Sequence, residues 1–485
     1  MTSRSAGGGP SRARGADGPT VSRSERTTTH RPSPRQRSRV DTSRLAAYDV
    51  LRAVDERDAY ANLVLPGLLR ERGIEGRDAG LATELTYGTL RGRGTYDAIL
   101  GTCVDRPIAE VDANVLDVLR IGAHQLLAMR VPPHAAVGTT VDLARHVGGD
   151  GRSRFVNAVL RRVSASDLDA WVARVAPPLD IDPVGHLAVA HSHPKWIVSA
   201  FRDALGGDLA EVAAALAANN VPAAVMLAAR PGRGAVADLV AAGAHPARFS
   251  PYGAELAGGD PGAIDAVRRG RAGVQDEGSQ LVALALAAAP IEGPERWWLD
   301  VAAGPGGKAG LLQGLAAERG IGFLAAEFAP HRAALVQRTL RGAAGSWLVV
   351  TADSTQPAWR AGSADRVLLD APCTGLGALR RRPEARWRRQ AADLPALTRL
   401  QRDLLVAALD SARRGGLVAY VTCSPHLAET RHLVDAALRG NEEVERVDAR
   451  PFLPGVPSLG DGPHVQLWPH RHGTDAMHLT LLRRR

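Results

Sequence analysis

Apolar residues in the first third of the chain recur in steps near three and four: Leu45, Tyr48 and Leu51, then Leu81, Leu85 and Leu90, then Val115, Leu116, Leu119 and Leu126, then Phe155, Val159 and Leu160. That period turns one face of successive helices toward a common core, and it predicts an all-α unit over residues 41–170. Pro132-Pro133 and Gly148-Gly149 read as loops between those helices. After Val274 the texture changes. Five short apolar runs, at 297–301, 321–326, 347–350, 366–369 and 417–421, alternate with amphipathic stretches. They predict buried strands in a mostly parallel, doubly wound sheet over residues 272–485, with 477–482 as a last, antiparallel strand. Between these units, residues 171–271 predict connector helices and a small α/β segment, with a strand at 225–228 and helices at 235–242 and 261–268.

Composition agrees with a multidomain globular protein: 485 residues, 45% hydrophobic and 23% charged, are too apolar for a disordered chain and too many for one core. Three scattered cysteines give no disulfide framework and point to a reducing compartment. The richest apolar run, 281–289, is half of the ~18 residues that a membrane span needs, and no apolar segment follows the basic N-terminus. A cytoplasmic protein without membrane contact is expected.

The net charge of +9 is concentrated at one end. Residues 1–40 carry nine arginines and two acids among Ser, Gly, Thr and Pro, and they predict a disordered Arg-rich arm. The remainder is nearly balanced, so overall charge says little about nucleic-acid binding. Only Lys195 and Lys308 are lysines among the 60 basic residues. A lysine that persists in such a chain suggests a need for its compact ammonium.

Lys308 ends a loop, Asp300-Val301-Ala302-Ala303-Gly304-Pro305-Gly306-Gly307-Lys308, directly after the first expected strand. Its small residues let the backbone approach a ligand and aim amides at it. The spacing is neither a P-loop nor a dinucleotide fingerprint. The second strand ends at Glu327, placed to accept ribose hydroxyls, and the third at Asp353, a candidate acceptor for an adenine amino group. A glycine loop and two acids on consecutive strand ends suit an adenosine ligand without a triphosphate, and S-adenosyl-L-methionine fits better than NAD or ATP. Ala302 through Lys308, Glu327, Asp353 and Asp370 are the expected cofactor contacts.

The fourth strand ends in Asp370-Ala371-Pro372-Cys373 and the fifth in Thr422-Cys423-Ser424, so two thiols face one crevice. Thiols beside a methyl donor suit methylation at carbon 5 of a pyrimidine. A thiolate adding to carbon 6 makes carbon 5 nucleophilic, which splits one difficult step into easier ones. The residues alone leave open which cysteine attacks. Cys103, in a helical context, reads as structural.

The chain closely resembles the RNA cytosine-5 methyltransferases of the Sun/RsmB type, which act on bacterial 16S ribosomal RNA. The resemblance rests on Gln275-Asp276-Glu277-Gly278-Ser279-Gln280, the Asp300 to Lys308 loop, Asp370-Ala371-Pro372-Cys373, Thr422-Cys423-Ser424 and Gly473-Thr474-Asp475. Tyr87-Gly88-Thr89-Leu90-Arg91, Leu119 to Leu126 and Phe155 to Arg161 are similar to a NusB-like RNA-binding domain, and His193-Pro194-Lys195-Trp196 matches the connector. The resemblance implies a Rossmann-like methyltransferase domain behind a NusB-like one. It also implies Cys423 as nucleophile, Cys373 in product release and Asp370 against the base. Three positions depart from the family pattern: Ala302, where cysteine is common, Gly304, where alanine is common, and Ala476, where glycine is usual.

Arg380, Arg381, Arg382, Arg386, Trp387 and Arg388 follow Cys373 closely and are expected RNA contacts, phosphates on the guanidinium groups and a base on the indole. His464, His470 and His472 lack the companions of a metal site, and no metal is expected. The sequence thus predicts a monomeric enzyme forming 5-methylcytidine in small-subunit ribosomal RNA. The alternatives are a transfer-RNA cytosine-5 methyltransferase and a non-catalytic RNA-binding or antitermination factor.

Overall fold

The computed structural model describes residues 40–485; the Arg-rich arm lies outside the described residues, except for Val40. Among the described residues nine α-helices come first: α1 (Thr42–Arg57), α2 (Ala61–Glu71), α3 (Gly76–Cys103), α4 (Ala113–Leu127), α5 (Pro133–Val163), α6 (Leu168–Val175), α7 (Pro183–Ala190), α8 (Lys195–Ala204) and α9 (Leu209–Asn220). Among the described residues six α-helices open on an aspartate whose carboxylate accepts a first-turn amide: Asp41, Asp112, Asp167, Asp182, Asp208 and Asp276. Each such cap contributes about 1 kcal/mol and fixes where its helix begins. One contiguous core, including Leu51, Leu85, Ile99, Leu119, Ile121, Leu143 and Val156, joins the first six.

The loop expected at Pro132-Pro133 separates α4 from α5, with Pro132 closing it and Pro133 as the first residue of α5, a position that needs no amide donor. The one expected at Gly148-Gly149 is corrected, since Gly149 lies inside α5 at φ 78°, where it forms a kink rather than a connection.

The connector carries more sheet than its sequence predicts. Strands β1 (Val225–Ala229), β2 (Ala244–Pro246), β3 (Gly253–Leu256) and β4 (Ala272–Val274) form an antiparallel sheet in the order β2-β3-β1-β4, with short helices α10 (Val236–Ala241) and α11 (Asp265–Arg268). Three of these strands have only three or four residues, too few to show alternation.

Helix α12 (Glu277–Ala288) leads into the second sheet, made of β5 (Trp297–Asp300), β6 (Gly322–Glu327), β7 (Trp347–Thr351), β8 (Ala364–Asp370), β9 (Ala412–Thr422), β10 (Val444–Val447), β11 (Val465–Gln466) and β12 (His478–Arg484). Helices α13 (Gly307–Glu318), α14 (Pro330–Leu340), α15 (Ala385–Arg388), α16 (Leu394–Ser411), α17 (Arg431–Leu438) and α18 (Pro469–His472) connect them. Strand order is β10-β12-β9-β8-β5-β6-β7, with β11 on β12. Strands β5 to β9 are parallel, and β12 runs antiparallel to β9, as the sequence predicts. Strand β7 is not buried; it is the edge of the sheet and keeps Leu348 half exposed. The chain leaves β5 toward β6 and β7, then returns to β8 on the other side. The crevice at the carboxyl ends of β5 and β8 is therefore the topological switch point, where ligands of such sheets bind.

Within the arginine set after Cys373, the structure corrects the expected RNA contact at Arg386, while Arg382 stays exposed and Arg388 half-buried. Arg386 is fully buried and donates to Arg91 O (3.2 Å), Ser192 O (3.1 Å), Asn219 O (2.9 Å) and Asn220 Oδ1 (2.6 Å). Trp387 packs against Gly94 and donates from its indole to Leu90 O. Arg388 donates to Ala59 O, and both Arg382 and Arg388 lie over the ring of Tyr60. Arg380 and Arg381 are paired with Asp276 and Asp475. Apart from the exposed Arg382, these side chains bind the protein to itself, because carbonyls and buried carboxylates at the meeting of the helices with the sheet need donors. Arg386→Met removes the donor from four oxygens and is expected to lower unfolding free energy by about 2–4 kcal/mol. Urea denaturation of the whole chain checks this, and a shift under ~0.5 kcal/mol, the ordinary range for a surface substitution, would contradict the buried role.

Candidate active site

Residue types on the β5 end explain the shape of the donor loop. Ala303 N donates to Ala326 O (2.9 Å) and Gly304 N to Glu327 Oε2 (2.9 Å), so the loop bends across the end of β6. Arg332 fastens the other side of Gly304 by donating to its carbonyl (2.6 Å). A Cβ on Gly304 would stand 2.2 Å from Glu327 Oε2, so a larger residue there would have to displace the Glu327 carboxylate. Gly306 has φ 112° and caps α13 without a side chain, leaving the first-turn amides of α13 without a side-chain acceptor. Ala302, Ala303, Pro305 and Gly307 complete a small-residue cradle.

Glu327 is buried, with Oε1 accepting from Ala329 N (3.0 Å). Asp353 is exposed beyond β7, its carboxylate accepting from the Thr355 amide and hydroxyl, which hold its pKa below the usual carboxylate range. Phe328, next to Glu327, is 73% exposed, an apolar ring beside the acid that the sequence reading overlooked. An acid at each of two adjacent strand ends, a tight cradle, free amides and an aromatic surface fit an adenosyl ligand.

Lys308 reaches from α13 to Asp370 at the end of β8, Nζ to Oδ2 2.8 Å. Burial works against its ammonium, but Asp370, then Cys423 and Asp300, offset that and raise its pKa above the usual lysine value. Asp300, directly behind, is buried and accepts from Ala302 N (3.2 Å). Burial, with the Asp370 charge beside it, pushes its pKa up to about 8.

The two thiols meet. Cys373 Sγ and Cys423 Sγ are 3.4 Å apart, and the hydrogen bond between them, burial and the neighbouring anions push the Cys373 thiol well above its ordinary pKa. Cys103 sits buried in the core of the helical unit, away from both. Gly377 donates to Cys423 O (2.9 Å) and accepts from Ala476 N (2.9 Å), and a Cβ there would be 2.2 Å from Ala476 O. Glu429 and Gln401, which carry no local sequence signature, lie under the Cys373 loop: Thr374 N donates to Glu429 Oε1 (2.8 Å), and Gln401 Nε2 donates to Pro372 O (2.8 Å). The two motifs that flank the sheet in sequence also join here, Asp475 N donating to Asp276 Oδ2 (3.1 Å).

Of the loop histidines, His470 pairs with Glu211 (2.8 Å) and His472 bonds Pro457 O (2.9 Å). Among the described residues no three His, Cys, Asp or Glu side chains gather as metal ligands, and no helix is long and apolar enough to cross a membrane.

Two family models match the chain: 16S rRNA methyltransferase RsmB/F over residues 285–483 and the NusB family over residues 41–165. A putative methyltransferase of Mycobacterium tuberculosis is 53% identical, covering 93% of this chain and 98% of the relative. The ribosomal RNA small subunit methyltransferase B of Pseudomonas putida is 32% identical, covering 84% and 91%. Among solved structures, the crystal structure of PH0851 has a TM-score of 0.74 at 19% identity, covering 92% of this chain and 99% of that one, a likeness of fold.

The raised Asp300 titration has a thermodynamic sign. The folded chain holds this proton more tightly than the unfolded one between pH about 4 and about 8, so Asp300 makes stability fall as pH rises through that window. Asp300→Asn is expected to match wild type near pH 4 and to exceed it near pH 8 by on the order of a few kcal/mol. Thermal unfolding at both pH values tests this; a difference independent of pH would refute it.

Proposed function

The chain belongs to the RsmB/F family of 16S rRNA methyltransferases, which use S-adenosyl-L-methionine, and from that premise we propose that it methylates carbon 5 of a cytosine in small-subunit ribosomal RNA through a covalent bond from Cys423 to carbon 6. The observation that carries the reading is the pair of sulfurs 3.4 Å apart at the ends of adjacent strands, next to the donor cradle. A methyltransferase acting on an already nucleophilic nitrogen or oxygen has no use for two thiols there.

The donor, when bound, supplies an electrophilic methyl group; Glu327 and Asp353 would hold its adenosine, and the Ala302 to Lys308 loop the remainder. The chain's own residues divide the other work. Cys423 attacks carbon 6 as a thiolate. Asp370, fixed by Lys308 and 30% exposed on its side chain, faces the base. Cys373 keeps its proton and gives the neighbouring sulfur a hydrogen bond. The target base must leave its stack to reach both sulfurs, at a cost of a few kcal/mol. The NusB-like helices favour ribosomal over transfer RNA as the substrate.

Cys423→Ala is expected to abolish methyl transfer to 16S RNA, whereas Cys373→Ser leaves a protein–RNA adduct that survives denaturing electrophoresis. Turnover retained by both variants would end the covalent reading. Bisulfite sequencing of ribosomal and transfer RNA, from cells with and without the protein, is expected to lose one or more 16S signals; a loss confined to transfer RNA would reassign the substrate.

A further inference from the structure

Glu429 is fully buried, six residues after Cys423, and the hydrogen bonds to its carboxylate come from neutral donors. Thr374 gives it both the backbone amide (2.8 Å to Oε1) and the side-chain hydroxyl (to Oε2), and Gln401 Nε2 reaches Oε1 at 3.1 Å. The same Gln401 amide binds Pro372 O. The residues on either side of Cys373 are thus held by one carboxylate and one carboxamide. Thr374 Oγ1 also meets Ser424 Oγ at 3.1 Å, so the residue after each cysteine belongs to the same network. Tyr420, on β9, anchors Glu429 from below by donating to its carbonyl (2.8 Å).

Three donors converge on this side chain, and only a carboxylate offers acceptors to all of them. A glutamine in its place would turn an NH2 group toward the Gln401 amide, losing that bond, or toward the Thr374 hydroxyl, which would then have to accept instead of donate and turn its own proton to Ser424. The Thr374–Ser424 contact and the Gly377 N to Cys423 O bond also join the two loops, and Glu429 adds the bonds to the residue directly after Cys373.

We propose that Glu429 is a positioning residue for product release: it clamps the Cys373 loop so that the Cys373 S–H points at the sulfur of Cys423. The inference rests on the covalent reading above. In the release step, carbon 5 of the methylated adduct gives its proton to a water. The C–H pair re-forms the C5–C6 double bond, and the C6–S pair returns to Cys423 as thiolate. The Cys373 S–H donates a hydrogen bond to that departing sulfur. The anionic neighbours Glu429 and Asp370, with Cys423 itself, favour the protonated form of Cys373 that this role needs. Attack by Cys423 does not need the clamp; departure does.

The full chain is assayed on 16S RNA with labelled donor, for turnover and for adduct on denaturing gels. Glu429→Gln is expected to lower kcat at least tenfold, to leave the KM for RNA within about twofold, and to accumulate adduct as Cys373→Ser does. Thr374→Val, which removes one donor and conserves shape, is expected to do the same to a smaller degree, and it decides the question if Glu429→Gln does not fold. Glu429→Asp is expected to restore part of the turnover. Wild-type kcat without adduct in the folded variants would overturn the clamp, as would loss of turnover and adduct together. A Cys373→Ser protein that forms no adduct would overturn the covalent reading instead.

Discussion

Asp370 lies opposite Val421 where β8 and β9 run parallel, and Ala371 N still bonds Val421 O as the first chain leaves the sheet. Everything chemical in this protein depends on that register. Cys373 stands three residues past its strand-end pairing and Cys423 two, and this stagger brings the sulfurs together. Because side chains alternate between the faces of a sheet, a slip of one residue would send one cysteine to the opposite side. The neighbouring order β6-β5-β8 then sets the donor cradle beside the thiols, and Lys308 spans the gap between them.

Local signatures made much of this legible in the chain itself. Five strands, their parallel sense, the antiparallel last strand, the glycine loop and both cysteines follow from apolar runs and from what stands at their ends. The rest depends on partners distant in sequence. Glu429 receives its bonds from Thr374 and Gln401, 55 and 28 positions away, and nothing in its immediate sequence distinguishes it from a surface acid. The connector sheet escaped because strands of three or four residues show no period. Gly149 looked like a loop because glycine permits the non-helical φ of a kink as readily as that of a turn.

The arginines carry a different lesson. In a chain with two lysines, density of arginine beside a catalytic segment says little about nucleic acid, because the same side chain serves wherever a cation is needed. The guanidinium fork, with donors pointing several ways, suits a place where several carbonyl oxygens converge, and Arg386 occupies such a place. A sequence cannot distinguish a guanidinium that faces phosphate from one that faces Asn219 O and Ser192 O.

That correction alters how the two halves of the protein relate in the proposed reaction. The segment after Cys373 does not hang over the crevice as a free basic flap. Arg386 and Trp387 tie it to α3 and to the ends of α7 and α9, while Arg380 and Arg381 tie it to Asp276 and Asp475 at the sheet. Cys373 therefore begins a strap with one end fixed under the thiols by Glu429 and the other fixed in the helical unit. In the proposed reaction, an RNA held by the helices would reach Cys423 at a set distance, since moving the helices would require breaking buried bonds at Arg386. Rigidity of this kind suits an enzyme that must place one unstacked base between two sulfurs, where an error of an ångström costs orders of magnitude in rate.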